Sequence, residues 1–328
     1  MATYKNIKGS RIRVVAADPS PVDAGDTWFN STTNVIKYQS AGSFWTETSD
    51  VNEGRWESGG CGTTTEAAMT WSGQPGPYTG NTETFNGTSW SEVNEAGTGR
   101  FACTKGIGTT TAALFAGAGT GPQPQGVNLS EEWNGTSWAE GNEMITARVL
   151  MAGFGTQTAA VSTGGYNSCI GTTDLGTEEY DGTTWSAATA MNKVRRAAGT
   201  GIIAPNTAGI VFSGTAFIGG GQNLTEEYNG SAWTEVADLS ETHDGCAGAG
   251  NQTAAVAAGG PSYSANVEDW NGSTWSTGND INLGRNQPEG AGAGASALCI
   301  SGESASVTPT TYVEEYAAGG QTKTITAT

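Results

Sequence analysis

The chain has 328 residues and a formal net charge of −18, with 50 glycines against 10 prolines and only 14% charged side chains. That length can bury a large core, and glycine without a strict third-residue period excludes collagen. So acidic a surface repels phosphate backbones, which excludes nucleic acid as a partner, and no apolar run is long enough for a membrane-spanning helix.

Residues 1–25 read as an arm and linker. Arg11-Ile12-Arg13-Val14-Val15 is a short strand by pattern, and Asp18-Pro19-Ser20-Pro21 is a stiff extended linker. Residues 4–17 carry Lys5, Lys8, Arg11 and Arg13, four of the fourteen basic residues. This stretch is either a frayed terminus or an arm that docks on a partner or sister subunit. No apolar stretch follows its basic residues, so no signal peptide is expected.

From there the chain repeats itself. An aromatic residue is followed by Asn-Gly or Asp-Gly, two small residues and Trp. The clear copies are Phe85 to Trp90, Trp133 to Trp138, Tyr180 to Trp185, Tyr228 to Trp233 and Trp270 to Trp275. Tyr38 with Trp45, and Tyr316 without a following Trp, read as degraded copies at the two ends. Asn-Gly tolerates the positive φ of a two-residue hairpin turn, so each copy predicts a tight hairpin between a third and a fourth strand. One hairpin cannot bury two large aromatic faces alone, so the copies must stack.

The seven aromatic marks are spaced 47, 48, 47, 48, 42 and 46 residues apart. Upstream of the octets lies a second shared strand, Thr111 to Gly117, Thr158 to Gly165 and Thr253 to Gly260, preceded by a looser Gly/Ala-rich one. Four strands per repeat of this length predict an all-β chain, a six-bladed β-propeller over residues 26–328. For closure, the hairpin over residues 34–47 would complete the blade begun by residues 284–316. The alternative is seven blades, with residues 25–47 a short blade of their own and residues 322–326 its missing strand.

These residues resemble a known family. Gly-Gly at 164–165, 219–220 and 259–260, the aromatic on the third strand and the Trp on the fourth are similar to a kelch-type β-propeller over residues 38–316. Elsewhere the Gly-Gly is degraded, and kelch propellers host many unrelated roles. Gly25-Asp26-Thr27-Trp28-Phe29-Asn30, with Gly42-Ser43-Phe44-Trp45, resembles a hairpin common in bacteriophage tail and fibre proteins. The octet is also similar to the Asp-box of sialidase propellers, but only Thr184-Trp185 and Thr274-Trp275 keep Thr beside Trp. Asp-boxes are structural in that family and name no catalytic residue.

The candidate binding residues come from the repeat. Arg55, Arg100, Arg148, Arg196 and Arg285 share one position, which His243 holds in the remaining blade. A ring of basic residues at one mouth of the channel could bind an anion. The competing reading gives each one a repeated structural bridge to a carbonyl or carboxylate, and repetition in every blade favours that. The acidic pairs Glu131-Glu132, Glu178-Glu179, Glu226-Glu227, Glu268-Asp269 and Glu314-Glu315 also repeat. Strand neighbours face opposite sides, so these are not catalytic dyads: one of each pair is expected to meet an arginine and the other water. Asn-x-Ser/Thr at Asn86, Asn134, Asn229 and Asn271 is explained by turn geometry.

With His243 alone, no copper or zinc centre needing two imidazoles can form, and no metal, cofactor or catalytic residue is expected. The cysteines Cys61, Cys103, Cys169, Cys246 and Cys299 form no C-x-x-C pair and read as small buried apolar residues. Loops between the second and third strands differ most: residues 117–129 contain Pro122 and Pro124, residues 165–176 contain Tyr166 and Cys169, and residues 259–266 hold Tyr263. Recognition is therefore expected on their face, with Tyr166 and Tyr263 as contacts.

The resemblances imply a non-enzymatic phage virion protein, a tail-fibre or fibre-like appendage without a signal peptide. Its propeller would bind a host-surface glycan or other virion proteins. Residues 4–17 would hold it, as an oligomer, in a larger assembly. A secreted glycan-binding lectin is the alternative, and a sialidase-like hydrolase the next.

Overall fold

The structure, a computed structural model, describes residues 12–19, 26–39, 44–75, 78–121, 125–167, 171–216, 220–294, 296–317 and 322–325. It divides into two compact units, residues 1–44 with 317–328, and residues 45–316.

The larger unit is built of six four-stranded antiparallel sheets. Blade 1 runs Gly59–Thr64, Ala67–Trp71, Thr82–Phe85 and Trp90–Val93 from its inner to its outer strand. Blades 2 to 5 repeat this order, beginning at Gly108–Thr109, Ala152–Thr156, Gly199–Thr200 and Ala247–Asn251. Blade 6 has Glu289–Ala293, Ser296–Ile300 and Val313–Ala317, and takes its outer strand from the other end of the chain, Phe44–Glu47. The inner strands meet in sequence, and that of blade 6 packs on that of blade 1, so the ring closes at six blades. Closing it with a strand from the far terminus leaves no unpaired sheet edge at the seam.

Glycine is abundant because the inner strands crowd the axis. A Cβ on Gly290 of blade 6 would run into the carbonyl of Gly248 in blade 5. Around them the core is aromatic: Trp71, Trp133, Tyr228, Tyr316, Phe115, Phe154 and Phe212 are all fully buried.

Two details of the sequence reading change. First, the octet turn is a four-residue loop, not a two-residue one. Phe85 pairs with Trp90, and only Gly87 has a positive φ, 88°. Asn86 has no need of one, because its side-chain oxygen accepts the backbone N–H groups of Thr88 and Ser89, each at 2.9 Å. Asn134, Asp181, Asn229 and Asn271 do the same. A side-chain oxygen that caps two donors replaces a strained backbone.

Second, only part of the 34–47 hairpin closes the ring. Trp45 stacks at 5.0 Å on Tyr316, so it supplies the Trp that the last octet lacks. Val35–Gln39, which holds Tyr38, pairs instead with Thr27–Asn30 and Thr322–Ile325 in the smaller unit. Thr322–Ile325 thus completes a four-stranded sheet, but not a seventh blade. Arg13–Val15 joins that sheet in parallel, whereas every blade is antiparallel. The boundary expected at residue 25 therefore falls at Phe44 instead, because pairing across the Pro-containing linker ties Arg13–Val15 to the hairpin. Beside this sheet Asp18 gathers two motif side chains and a lysine, accepting from Trp28 Nε1 at 3.0 Å, Asn30 Nδ2 at 2.8 Å and Lys37 Nζ at 2.6 Å. Most of the arm, residues 1–11, lies outside the described residues, as do Pro122, Pro124 and Cys169.

Candidate functional site

The basic ring is present, but inside the blades. Arg55, Arg100, Arg148, Arg195 and Arg285 are buried, and each binds the acid of the third strand in its own blade. The partners are Glu83, Glu131, Glu178, Glu226 and Glu314, at 2.5–3.0 Å. His243 binds Glu268 at 3.2 Å through Nε2, and its Nδ1 meets the carbonyl of Gly259 at 2.8 Å. Each carboxylate also accepts backbone N–H groups from the loop that leads into its blade: Glu178 takes Ile145 at 2.7 Å and Thr146 at 3.1 Å. Each guanidinium donates to carbonyls as well, Arg148 to Gly164 and Gly176.

This is the structural bridge: each ring guanidinium is committed to a carboxylate and to carbonyls of its own blade, with only the buried Nε of Arg148 and of Arg195 left without a partner, and none is free for a soluble anion. In blade 4 the ring member is Arg195, not Arg196. The tandem arginines let the sequence alignment slip by one residue. The second acid of three of the five pairs also does something unforeseen. Tyr180 OH donates to Glu132, Tyr228 OH to Glu179 at 2.8 Å and Tyr316 OH to Asp269 at 2.7 Å, so each of these tyrosines ties its blade to the one before.

The residues after the basic ring build the site. The second residue beyond each ring member lies in the left-handed region: Glu57, Ala102, Leu150, Ala197, Gly245 and Gln287 have φ between 51° and 70°. Only one of the six is glycine, so five side chains are held in a conformation that costs on the order of 1 kcal/mol each. The turn swings the loops inward, and their backbones link in a belt. Cys103 N–H donates to Glu57 C=O, Leu150 to Ala102, Ala197 to Leu150, Gly245 to Ala197 and Gln287 to Gly245, at 2.8–3.1 Å. The side chain of Gln287 joins the belt's two ends, donating from Nε2 to Glu57 at 3.1 Å.

Over this belt lies a cavity of about 530 Å3. One side is apolar: Tyr78 stacks on Phe101 at 4.5 Å, beside Ala102, Val149 and Leu150. The other side is polar: Arg196, Thr215, Asp244, Gln287, Glu57 and Gln74. The Arg196 guanidinium lies 5.3 Å from the ring of Tyr166. Gln74 and Gln287 clamp Glu57 from two sides, at 2.8 and 3.1 Å. Burial raises the Glu57 carboxyl above its usual range against those two bonds. Burial also raises Asp244, against the attraction of Arg196 and Lys105.

The cup is blind. Beneath it Lys105 spans the channel from blade 2, its Nζ donating to the carbonyls of Cys246 and Pro288 at 2.9 Å each. Ile202 of blade 4 then packs with Ala291 and Leu298 of blade 6 and Ala68 of blade 1.

Of the residues chosen from sequence, Arg196 and Tyr166 line the cup. Arg55, Arg100, Arg148, His243 and Arg285 do not, and Tyr263 stands 42% exposed on the single turn Pro261–Tyr263 outside its lining. Glu57, Tyr78, Phe101, Asp244 and Gln287 were missed. A signal existed: the two positions after the repeated basic residue read Trp-Glu, Phe-Ala, Val-Leu, Arg-Ala, Asp-Gly and Asn-Gln. They vary from blade to blade inside a frame that repeats. The four described cysteines are buried and free, and burial raises their thiols, Cys246 to about 12 and Cys299 to about 11.

The sequence matches no family description and no curated protein. The fold does find a counterpart. The chain superposes on the solved structure of YjhT with a TM-score of 0.66 at 12% identity, over 84% of this chain and 99% of that one. At that identity the likeness shows the fold alone: an all-β chain of four-stranded antiparallel sheets, arranged as kelch-type propeller blades like those of YjhT.

Proposed function

We propose that the chain is a non-enzymatic recognition propeller carried on a phage virion appendage, with the cup and its surrounding loops as the binding face. The observation that carries this reading is the inequality of the ring's two ends. One end presents five Asn-Gly or Asp-Gly loops capped in the same way. The other presents the cup, to which the blades contribute unlike residues: Glu57, Phe101 with Ala102, Val149 with Leu150, Arg196 with Ala197, Asp244 and Gln287. A surface of unequal loops makes one specific site, whereas identical turns do not. Among the described residues of the propeller, the exposed large apolar side chains, Ile145, Tyr263 and Val307, all lie on loops that emerge at the cup's end.

The phage-type hairpin supports the virion placement, its Trp28 and Asn30 held by Asp18. Binding without turnover is supported by His243, whose two ring nitrogens are both engaged inside blade 5. The test is labelled full-length protein on a panel of bacterial strains. Wild type is expected to decorate a subset, and the triple variant Ile145→Ser, Tyr263→Ser, Val307→Ser to lose that binding while melting like wild type. Equal decoration by both would move recognition away from this face. Turnover of a glycoside that disappears in Glu57→Gln would replace the reading with a hydrolase.

A further inference from the structure

We propose that the cup takes one uncharged sugar residue, the terminal hexose of a glycan. This rests on the reading of the cup's end as the binding face and names the ligand class.

The two halves of the cup are complementary to the two faces of a hexose. A hexose ring has a C–H face that packs on aromatic and aliphatic surface, and an edge of neighbouring hydroxyls that both donate and accept. The cup offers Tyr78 on Phe101, with Val149 and Leu150, on one side. Across from them Arg196 and Asp244 occupy equivalent positions in adjacent blades, and both line the cup. Among the described residues neither side chain has a hydrogen-bond partner of its own, so one wall of the cup carries both donors and acceptors that are unused. A guanidinium beside a carboxylate can bind two vicinal hydroxyls, one as acceptor and one as donor. The amides of Gln74 and Gln287 fix Glu57 as a further acceptor.

Charge decides which sugars. Glu57 and Asp244 face the cup against the single guanidinium of Arg196, while the Lys105 ammonium below donates to two carbonyls. An anionic sugar would bring its carboxylate to two others. An amino sugar would have to shed the water around its ammonium and bring that charge into the cup with the Arg196 guanidinium. A neutral ring meets neither cost. The blind floor decides the mode of entry. A chain cannot thread through, so only an end residue can descend. The volume lies in the range of sites for small ligands, roughly 300–1,000 Å3.

The experiment uses the full-length protein with methyl glycosides of glucose, galactose and mannose. N-acetylneuraminic acid and glucuronic acid serve as anionic probes, and glucosamine as the cationic one. Saturation-transfer NMR reads contact and calorimetry reads affinity. At least one neutral methyl glycoside is expected to bind more tightly than every charged probe. Asp244→Ala and Arg196→Ala are each expected to weaken it about tenfold or more, with unchanged melting. Tighter binding of a charged probe, affinity unchanged in both variants, or binding of none of the probes would overturn the proposal. Should these fail while the labelled protein still decorates cells through Ile145, Tyr263 and Val307, the binding face stands and only the sugar assignment falls. Loss of both would remove the two readings together.

Discussion

Glu289 begins the inner strand of blade 6, 1% exposed, with neither carboxyl oxygen hydrogen-bonded among the described residues. Burial pushes its carboxyl up to about 8 from the usual 4.5, and the ammonium of Lys105 only partly opposes this. The sign follows from proton binding. Between those two values the folded chain holds a proton that the unfolded chain releases. The contribution to stability is complete below about pH 4.5 and is lost as pH rises through about 8. Wild type should therefore melt at a lower temperature as pH rises across that window. Glu289→Gln, which cannot ionise, should flatten this part of the curve and gain relative to wild type at its upper end, by about 2–4 °C per kcal/mol removed. Parallel pH curves for the two proteins, from calorimetry or circular dichroism, would show that the group does not titrate where its burial places it.

At the scale of the blade, two kinds of side-chain tie do different work. The arginine–glutamate bridge fastens the loop entering a blade to that blade's third strand, inside the core. Removing one side strands the other, so Arg148→Ala should cost about 3–5 kcal/mol through the uncompensated Glu178. The tyrosine bridge joins adjacent blades at a partly exposed site. Tyr228→Phe leaves Glu179 able to reach water, and should cost only about 1 kcal/mol. Urea unfolding of both variants checks the order, and a larger loss from Tyr228→Phe would invert it. The repetition of the arginine and of the acidic pair was legible in sequence, and so was the preference for an architectural role. Which arginine of Arg195-Arg196 turns inward was not, because both fit the spacing and only the loop geometry separates them.

At the scale of the whole molecule, the ring depends on Phe44–Glu47, which lies far in sequence from the blade it completes. Residues 44–317 contain every strand of the six blades. That fragment should be soluble and melt cooperatively. Residues 48–317 should not: they leave Val313–Ala317 as an open edge and Tyr316 without Trp45. Expression of the two fragments side by side, followed by gel filtration and a thermal melt, decides the matter. A soluble, cooperative 48–317 fragment would show that the seam contributes little.

The sequence alone determined what is local or periodic. Octets at a nearly constant spacing required hairpins, and hairpins that cannot bury their aromatics alone required a stack. Four strands per repeat then made the stack a propeller, and the aromatic without a Trp at one end matched the Trp without a blade at the other. Tertiary structure decided what the period cannot carry. It divided residues 34–47 between two sheets, because strand pairing depends on which edge lies nearby and not on sequence neighbours. It also turned the repeated arginines inward and raised the unrepeated residues beside them to the rim of the cup. Consecutive residues of an extended segment stand on opposite sides, so one residue separates a buried arginine from a side chain of the cup, and which of the two turns inward belongs to the backbone rather than to the pattern of residues.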